Sequence, residues 1–190
     1  MKERPILFSV PMVRAILGGR KTQTRRVLKQ AIGPSLSVGC EDGVAELSWL
    51  HGDGPGHEVH ETIKRVACPY GLPGDRLWVR ETFFPAPASH GGGWHYKATE
   101  ADDFMPSMPW KPSIHMPRAA CRLVLEVTGV RVERLNNCSE ADAAAEGTSL
   151  DFMHDTHRAA FRELWHSING AESWNANPWV WVVEFRRIGP

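Results

Sequence analysis

Residues 5–26, PILFSVPMVRAILGGRKTQTRR, pass through three backbone states in one short stretch. Pro5-Ile6-Leu7-Phe8-Ser9 predicts a short strand. Pro11 falls where the first turn of a helix tolerates a missing N–H. Met12, Val13, Ile16 and Leu17 then recur at helical spacing, and Gly18-Gly19 ends the helix. A polar run, Arg20 to Arg26, follows the glycine turn. It holds Lys21 and Thr24, a lysine that can take the proton of a threonine hydroxyl if its pKa falls well below about 10.4. Burial and the neighbouring arginines would push it that way. In an ideal strand positions 21 and 24 point to opposite faces. The two can therefore meet only if Lys21 is still in the turn after Gly19.

Downstream, residues 30–60 are rich in Gly, Pro and His, with strand fragments around Val44–Leu50 and Val59–Val66. They predict an elaborated hairpin or lid rather than core. Pro73-Gly74-Asp75 is a turn signature that feeds the strand Leu77-Trp78-Val79-Arg80-Glu81. Residues 85–118 again predict a loop, carrying Trp94, Met105, Met108 and Trp110. Arg122 to Val132 alternates around Leu123, Leu125, Val127 and Val130, a long strand bent at Gly129. Ser139 opens an alanine-rich helix through a capping-box-like pairing with Asp142, and Gly147 closes it. Asp155 to Ile168 is a second helix, with Ala160, Phe161, Leu164, Trp165 and Ile168 on one face. Trp179 to Phe185 is a β-branched and aromatic run, expected as a buried strand. Many short strands with few helices predict an α+β domain over residues 1–190, a small β-barrel with flanking short helices and loop-rich insertions at about 30–70 and 85–118.

At 190 residues and 42% hydrophobic, the chain can bury a sizeable core, which excludes a disordered tail protein. No apolar run approaches the roughly 20 residues that span a bilayer, so no membrane partner is expected. The N-terminal stretch has two prolines and no small-residue cleavage site, so no signal peptide is read there. The four cysteines, irregularly spaced, form no disulfide framework, and a cytoplasmic monomer is expected. The 22 basic residues balance 22 acidic ones, yet no acid lies between Arg4 and Cys40. Arg14, Arg20, Lys21, Arg25, Arg26 and Lys29 all fall there. Such a segment reads either as a phosphate contact or as a solvated surface.

Glu146 is a third candidate for chemistry. It ends the alanine-rich helix, where the dipole disfavours a carboxylate, so another group is needed to hold it. Facing Lys21, it would orient the amine, while raising its pKa. Cys40, His51, His57, His60 and Cys68 bracket one insertion, but their spacing matches no compact zinc pattern, and no metal or cofactor is expected. No phosphate-cradling glycine fingerprint is present.

Gly19-Arg20-Lys21-Thr22-Gln23-Thr24-Arg25-Arg26 resembles the G-x-K-T-x-T-x-R block that follows the first helix of ASCH domains. Three further blocks agree in order: Gly74-Asp75-Arg76-Leu77-Trp78-Val79, then Val124 to Thr128 with Ser139 to Glu146, then Trp181 to Phe185. The resemblance implies a PUA-like barrel. Short bacterial ASCH enzymes that hydrolyse N4-acetylcytidine carry a lysine, threonine and glutamate triad that would fall on Lys21, Thr24 and Glu146. Cys68-Pro69-Tyr70-Gly71, residues 111–118 and Asn177-Pro178-Trp179 make the chain similar to longer, phage- or prophage-encoded ASCH proteins. The similarity to the short enzymes covers roughly half the chain and omits both insertions.

Two functions follow from the resemblance. In one, the protein is an amidohydrolase that removes an acyl group from N4 of a cytosine nucleoside or a related modified base. Thr24 would attack the acyl carbonyl, Lys21 would take its proton, Glu146 would orient Lys21, and amides of the Gly18-Gly19 turn would face the oxyanion. In the other, it is a noncatalytic RNA- or DNA-binding module using the same cleft, since fold does not set function. A third class, an interaction protein that blocks another enzyme, is excluded by no residue. For the ligand, Arg26, Trp78, Arg80, Glu81, Trp110, Ser113 and His115 are the expected contacts, as stacking surfaces and hydrogen-bonding groups.

Overall fold

A computed structural model describes residues 1–31, 36–52, 59–101, 103–104, 106, 108–150 and 152–189. It is α+β and mostly strand. Strand β1 (Glu3–Leu7) leads into helix α1 (Val10–Leu17), and β2 (Gln23–Val27) follows the glycine turn. Next come β3 (Leu36–Glu41), β4 (Val44–Gly52), β5 (Val59–Ala67) and β6 (Arg76–Arg80). A short hairpin, β7 (Phe83–Pro85) and β8 (Trp94–Tyr96), precedes β9 (Val124–Arg134). Helices α2 (Glu140–Ala145) and α3 (His157–Asn169) lead to β10 (Trp179–Ile188).

The main sheet has the order β1-β6-β9-β10-β2, parallel only between β1 and β6. Both its faces are covered, which is why β10 is apolar at successive positions rather than alternate ones. Trp181, Val183 and Phe185 enter a core with Ile6, Phe8, Val13, Ile16, Leu77 and Val79. Val180 and Val182 face a second core with Leu135, Ala143, Phe161, Trp165 and Trp174, supplied largely by α2 and α3.

Strand β9 keeps its apolar side on the first core by means of a bulge. Glu184 pairs with Gly129, whereas Phe185 pairs with Val127, so one residue of β9 is extra. Leu125 and Val127 before the bulge, and Val130 and Val132 after it, thereby reach the same core despite the change of parity. Asp75 secures the turn before β6. Its carboxylate accepts from the Lys2 amide at 2.6 Å and from Arg4 Nη1 at 2.8 Å, which holds the carboxyl down to about 2.

Three expectations change. The described strands do not close into a barrel: β1 and β2 are the two edges of an open sheet. The chain leaves β1 for α1, which sinks Val13 and Ile16 into the core, and the edges are tied by a side chain, Arg26 Nη2 donating to Leu7 O at 2.8 Å. The insertion at 30–70 is the expected hairpin, with strands at Val44–Gly52 and Val59–Ala67, but it is part of the core rather than outside it. β3, β4 and β5 form an antiparallel sheet that plants Ala45 and Leu47, both fully buried, in the first core. The alternation is short and sits among Gly and His, so composition hid the burial of Ala45 and Leu47 though not the strands. The stretch at 85–118 is not simply loop either. It contains β8, paired with β7 just before it, and supplies Met116 to a small core with Phe83 and Ala120, although Met105 lies outside the described residues.

Gly147, just past α2, has φ +87°, and a Cβ there would sit 2.8 Å from both the Ala15 and Lys21 Cβ atoms. Neither neighbour can swing away. Gly147→Ala is expected to cost about 1–3 kcal/mol. Gly19→Asn, at φ +71° with nothing within 4 Å of the added Cβ, is expected to cost less than about 1 kcal/mol. Urea denaturation of the two variants checks the contrast.

Candidate functional site

Lys21 lies in the turn, two residues before β2 begins. Its amide donates to Ala15 O at 3.1 Å, the Thr22 amide donates to Ala145 O at 2.8 Å, and Lys21 forms a lone antiparallel bridge with Glu146. The start of β2 is thus stitched to the end of α2. The Lys21 side chain is fully buried. Its Nζ donates to Glu146 Oε2 at 2.8 Å, to Glu146 O at 2.8 Å and to Gln23 O at 2.9 Å. An ammonium has three hydrogens, and all three are taken. The Phe8 ring, its centroid 5.5 Å from Nζ, closes another side. Burial pushes the Lys21 pKa below the ordinary lysine value. The Glu146 carboxylate opposes that shift, while Arg26 and Arg25 add to it.

Glu146 is held against the α2 dipole by two cations. Besides Lys21, Arg25 Nη1 donates to its Oε1 at 3.2 Å. Arg25, 4% exposed, also donates through Nε and Nη2 to Glu133 Oε1 at 3.1 and 2.6 Å, and its Nη2 lies 3.3 Å from Asp142 Oδ1. Arg131 completes the group, with Nη2 donating to Asp142 at 2.8 Å and Nε to Glu133 at 3.2 Å. Three cations, Lys21, Arg25 and Arg131, thus interleave with three carboxylates, Glu146, Glu133 and Asp142. Asp142 doubles as the capping-box partner of Ser139. Burial raises its pKa, but hydrogen bonds from Ser139 and Gln23 and the charge of Arg25 outweigh that and hold it far below the usual carboxylate range.

Thr24, in β2 opposite Val183, is 2% exposed and lines a cavity of about 300 Å³. That size is at the low end for small-molecule sites, roughly 300–1,000 Å³. Glu146, Arg25 and Arg26 share its lining, with Met12 from α1 and Tyr70 from the turn after β5. Helix α3 makes the other wall through Phe161, Leu164, Trp165, Ile168 and Asn169. Trp165 is 4% exposed, and its indole N–H has no partner among the described residues. The Asn169 amide is anchored to Trp165 O at 3.2 Å.

Lys21, Thr24 and Glu146 therefore come together, with Lys21 behind the cavity and the other two on its wall. Among the described residues no hydrogen bond joins Thr24 to Lys21. The expected oxyanion donors are a correction. The amides of Gly18, Gly19 and Arg20 donate to Arg14 O, Ile16 O and Ala15 O at 3.0, 3.0 and 2.9 Å, so the turn spends them internally.

Of the expected ligand contacts, only Arg26 lines this cavity. The Arg80 and Arg118 guanidinium groups both lie over the Trp78 ring, 5.4 and 5.9 Å from its centroid, and Arg80 donates to Ile114 O between Ser113 and His115. Glu81, 1% exposed, is locked into a two-pronged pair with Arg122, at 2.9 Å on both oxygens. Trp110 lines a separate cavity with Arg14, Lys97, Glu100 and Phe104. Arg25, Tyr70, Trp165 and Asn169 were not among the expected contacts. The Arg25-Arg26 doublet was the available signal for the first, whereas Trp165 read as an ordinary core position on a helix face.

Among the described residues no group of three or more His, Cys, Asp or Glu side chains is placed to hold a metal, and no helix is long and apolar enough to cross a membrane. His57 lies outside the described residues. Cys40 and Cys68 are free thiols, and burial pushes Cys68 up to about 11. Comparison with known proteins finds no matching family model, no matching curated protein and no matching solved structure.

Arg25→Met would leave Glu133, Asp142 and Glu146 crowded without their shared cation, at an expected cost of about 3–5 kcal/mol in chemical denaturation. A second test is acid denaturation. With its folded pKa depressed, the Asp142 carboxylate contributes stability that is present above its unfolded value of about 3.9 and lost as pH falls toward the folded one. The urea midpoint should drop on acidification below about pH 4, and less so in Asp142→Asn.

Proposed function

We propose that the chain is an ASCH-type amidohydrolase that removes an acyl group from the N4 amine of a cytosine nucleoside or a related modified base. The observation that carries this reading is the convergence of Thr24 and Glu146 on one small cavity, with the Lys21 ammonium buried behind it 2.8 Å from Glu146. The spacing of the sequence blocks supports membership of the family. The sheet would then be an opened relative of the PUA-like barrel, with the Arg26 to Leu7 contact where a ladder would close it. Four free thiols suit a reducing, cytosolic setting.

In this reading the reaction begins when Lys21 loses a proton. Burial favours that loss, because the neutral amine costs less in a dry interior than the ammonium. The freed Nζ gives up one of its hydrogen bonds and accepts the Thr24 Oγ1 proton as the oxygen bonds to the acyl carbon. The same proton passes from Nζ to N4 as the carbon–nitrogen bond breaks, releasing the cytosine amine. Water then attacks the Thr24 ester, gives a proton to Lys21, and frees the carboxylic acid while Oγ1 is reprotonated. Glu146 keeps Nζ in place throughout, and Arg25 Nη1 holds the other carboxylate oxygen of Glu146. The Trp165 N–H, buried and unpartnered, supplies a donor for a carbonyl of the ligand.

One observation favours the noncatalytic alternative: Lys21 is saturated and, among the described residues, makes no hydrogen bond with the Thr24 hydroxyl. Incubation with N4-acetylcytidine, followed by chromatography for cytidine, separates the readings. Hydrolysis lost by at least about 100-fold in both Thr24→Ala and Lys21→Ala is expected. Full activity in Thr24→Ala would overturn the mechanism. Because only neutral Lys21 can act as base, kcat/KM should rise with pH through one ionisation lying below the free lysine value of about 10.4.

A further inference from the structure

The charged side chains on the cavity wall do not balance. Arg25, Arg26 and Lys29 line it, against Glu146 as the one carboxylate among its lining residues. That carboxylate is already shared between Lys21 and Arg25, and Arg25 is further answered by Glu133 and Asp142. Arg26 and Lys29 are therefore surplus positive charge at a site whose interior is neutralised.

Arg26 is also held in a fixed pose. Its Nη2 donates to Leu7 O at 2.8 Å, and its guanidinium carbon lies 5.6 Å from the Phe8 ring centroid. Nη1 has no partner among the described residues, and neither has the buried Nε. Lys29, exposed and just past the end of β2, forms no ion pair among them. Tyr70 is close enough for the Arg26 charge to act on its hydroxyl, which makes no hydrogen bond to a described residue. Arg26, Lys29 and Tyr70 thus each bring to one small cavity a donor with no acceptor among the described residues, and a preoriented guanidinium with a flexible ammonium is the usual equipment for phosphate.

We infer that Arg26, Lys29 and Tyr70 form a phosphate subsite, so that the ligand is a nucleoside monophosphate rather than a free nucleoside. Its base would lie toward Trp165 and Asn169 on α3, and its phosphate toward β2 and Tyr70. The inference rests on the reading of the cavity as a nucleoside site and adds the charge of the substrate to it.

Calorimetry with cytidine and cytidine 5′-monophosphate tests the subsite without requiring turnover. Hydrolysis of N4-acetylcytidine and of its 5′-monophosphate tests it with turnover. The monophosphates should bind, and be processed, about tenfold or more better than the nucleosides. Arg26→Met and Lys29→Met should each shrink that ratio toward one. Lys29 is exposed, so its variant serves if Arg26→Met fails to fold. Preference for the monophosphate without any hydrolysis would keep the subsite and overturn the amidohydrolase reading. Hydrolysis with equal handling of both forms would keep the enzyme and overturn the subsite, and failure of cytidine 5′-monophosphate to bind would overturn the subsite as well. A short oligocytidylate binding far more tightly than the mononucleotide, with steep loss in salt, would overturn the mononucleotide in favour of a polymer.

Discussion

A lysine ammonium taken out of water must be answered by charge and by acceptors, or the chain will not fold around it. Lys21 meets that demand with one carboxylate and two carbonyls, and the arrangement of the neighbourhood follows. Glu146 must reach it from the end of α2, so α2 must sit over the turn before β2. Glu146 then needs its second oxygen occupied, which brings in Arg25. Arg25 in turn requires Glu133 on β9 and Asp142 on α2. Each step adds a partner because the previous one would otherwise leave a buried polar group unsatisfied. The network therefore binds β2, β9 and α2 by electrostatic need rather than by apolar packing alone. A network of this kind specifies position more than it adds stability, since each ion loses hydration that its partners only repay.

Much of this architecture was legible in the residues. The glycine turn, the alanine-rich helix with its Ser139 and Asp142 cap, the face of α3 and the buried strand at Trp179 are local signals, set by spacing and by capping chemistry. The condition that Lys21 remain in the turn was also a local argument, and the structure meets it. What escaped was set at long range. The strands at Val44 and Val59 were legible, but the alternation of Ala45 and Leu47 gives no hint of which core receives it, so their packing against the main sheet was not. The open edge of the sheet depends on where α1 packs, which no spacing records.

The same division holds at the site. Lys21, Thr24 and Glu146 stood out because their chemistry is uncommon in a turn, a strand and a helix end. Trp78, Arg80, Glu81 and Trp110 stood out for similar reasons, but the fold spends them elsewhere, in arginine–tryptophan packing, a buried ion pair and a second cavity. Trp165 shows the converse. Its apolar body belongs to the second core, so periodicity reads it as packing, while its lone N–H has no acceptor among the described residues. A residue can serve a core and a cavity at once, and only the three-dimensional arrangement separates the two.

The position of β2 carries one more consequence. As an edge strand its ladder runs to β10 alone, and its first residues are stitched to α2, more than a hundred positions along the chain. Contacts of that separation form late, because the loop between them must close before they repay anything. On the ribosome, Lys21 and Arg25 emerge early and wait for Glu146 on the far side of the chain, and the β2 ladder waits longer still, for residues 179–188. Every residue lining the cavity is therefore made before β10, yet the wall that β2 supplies is fixed in the sheet only once that last strand is in place.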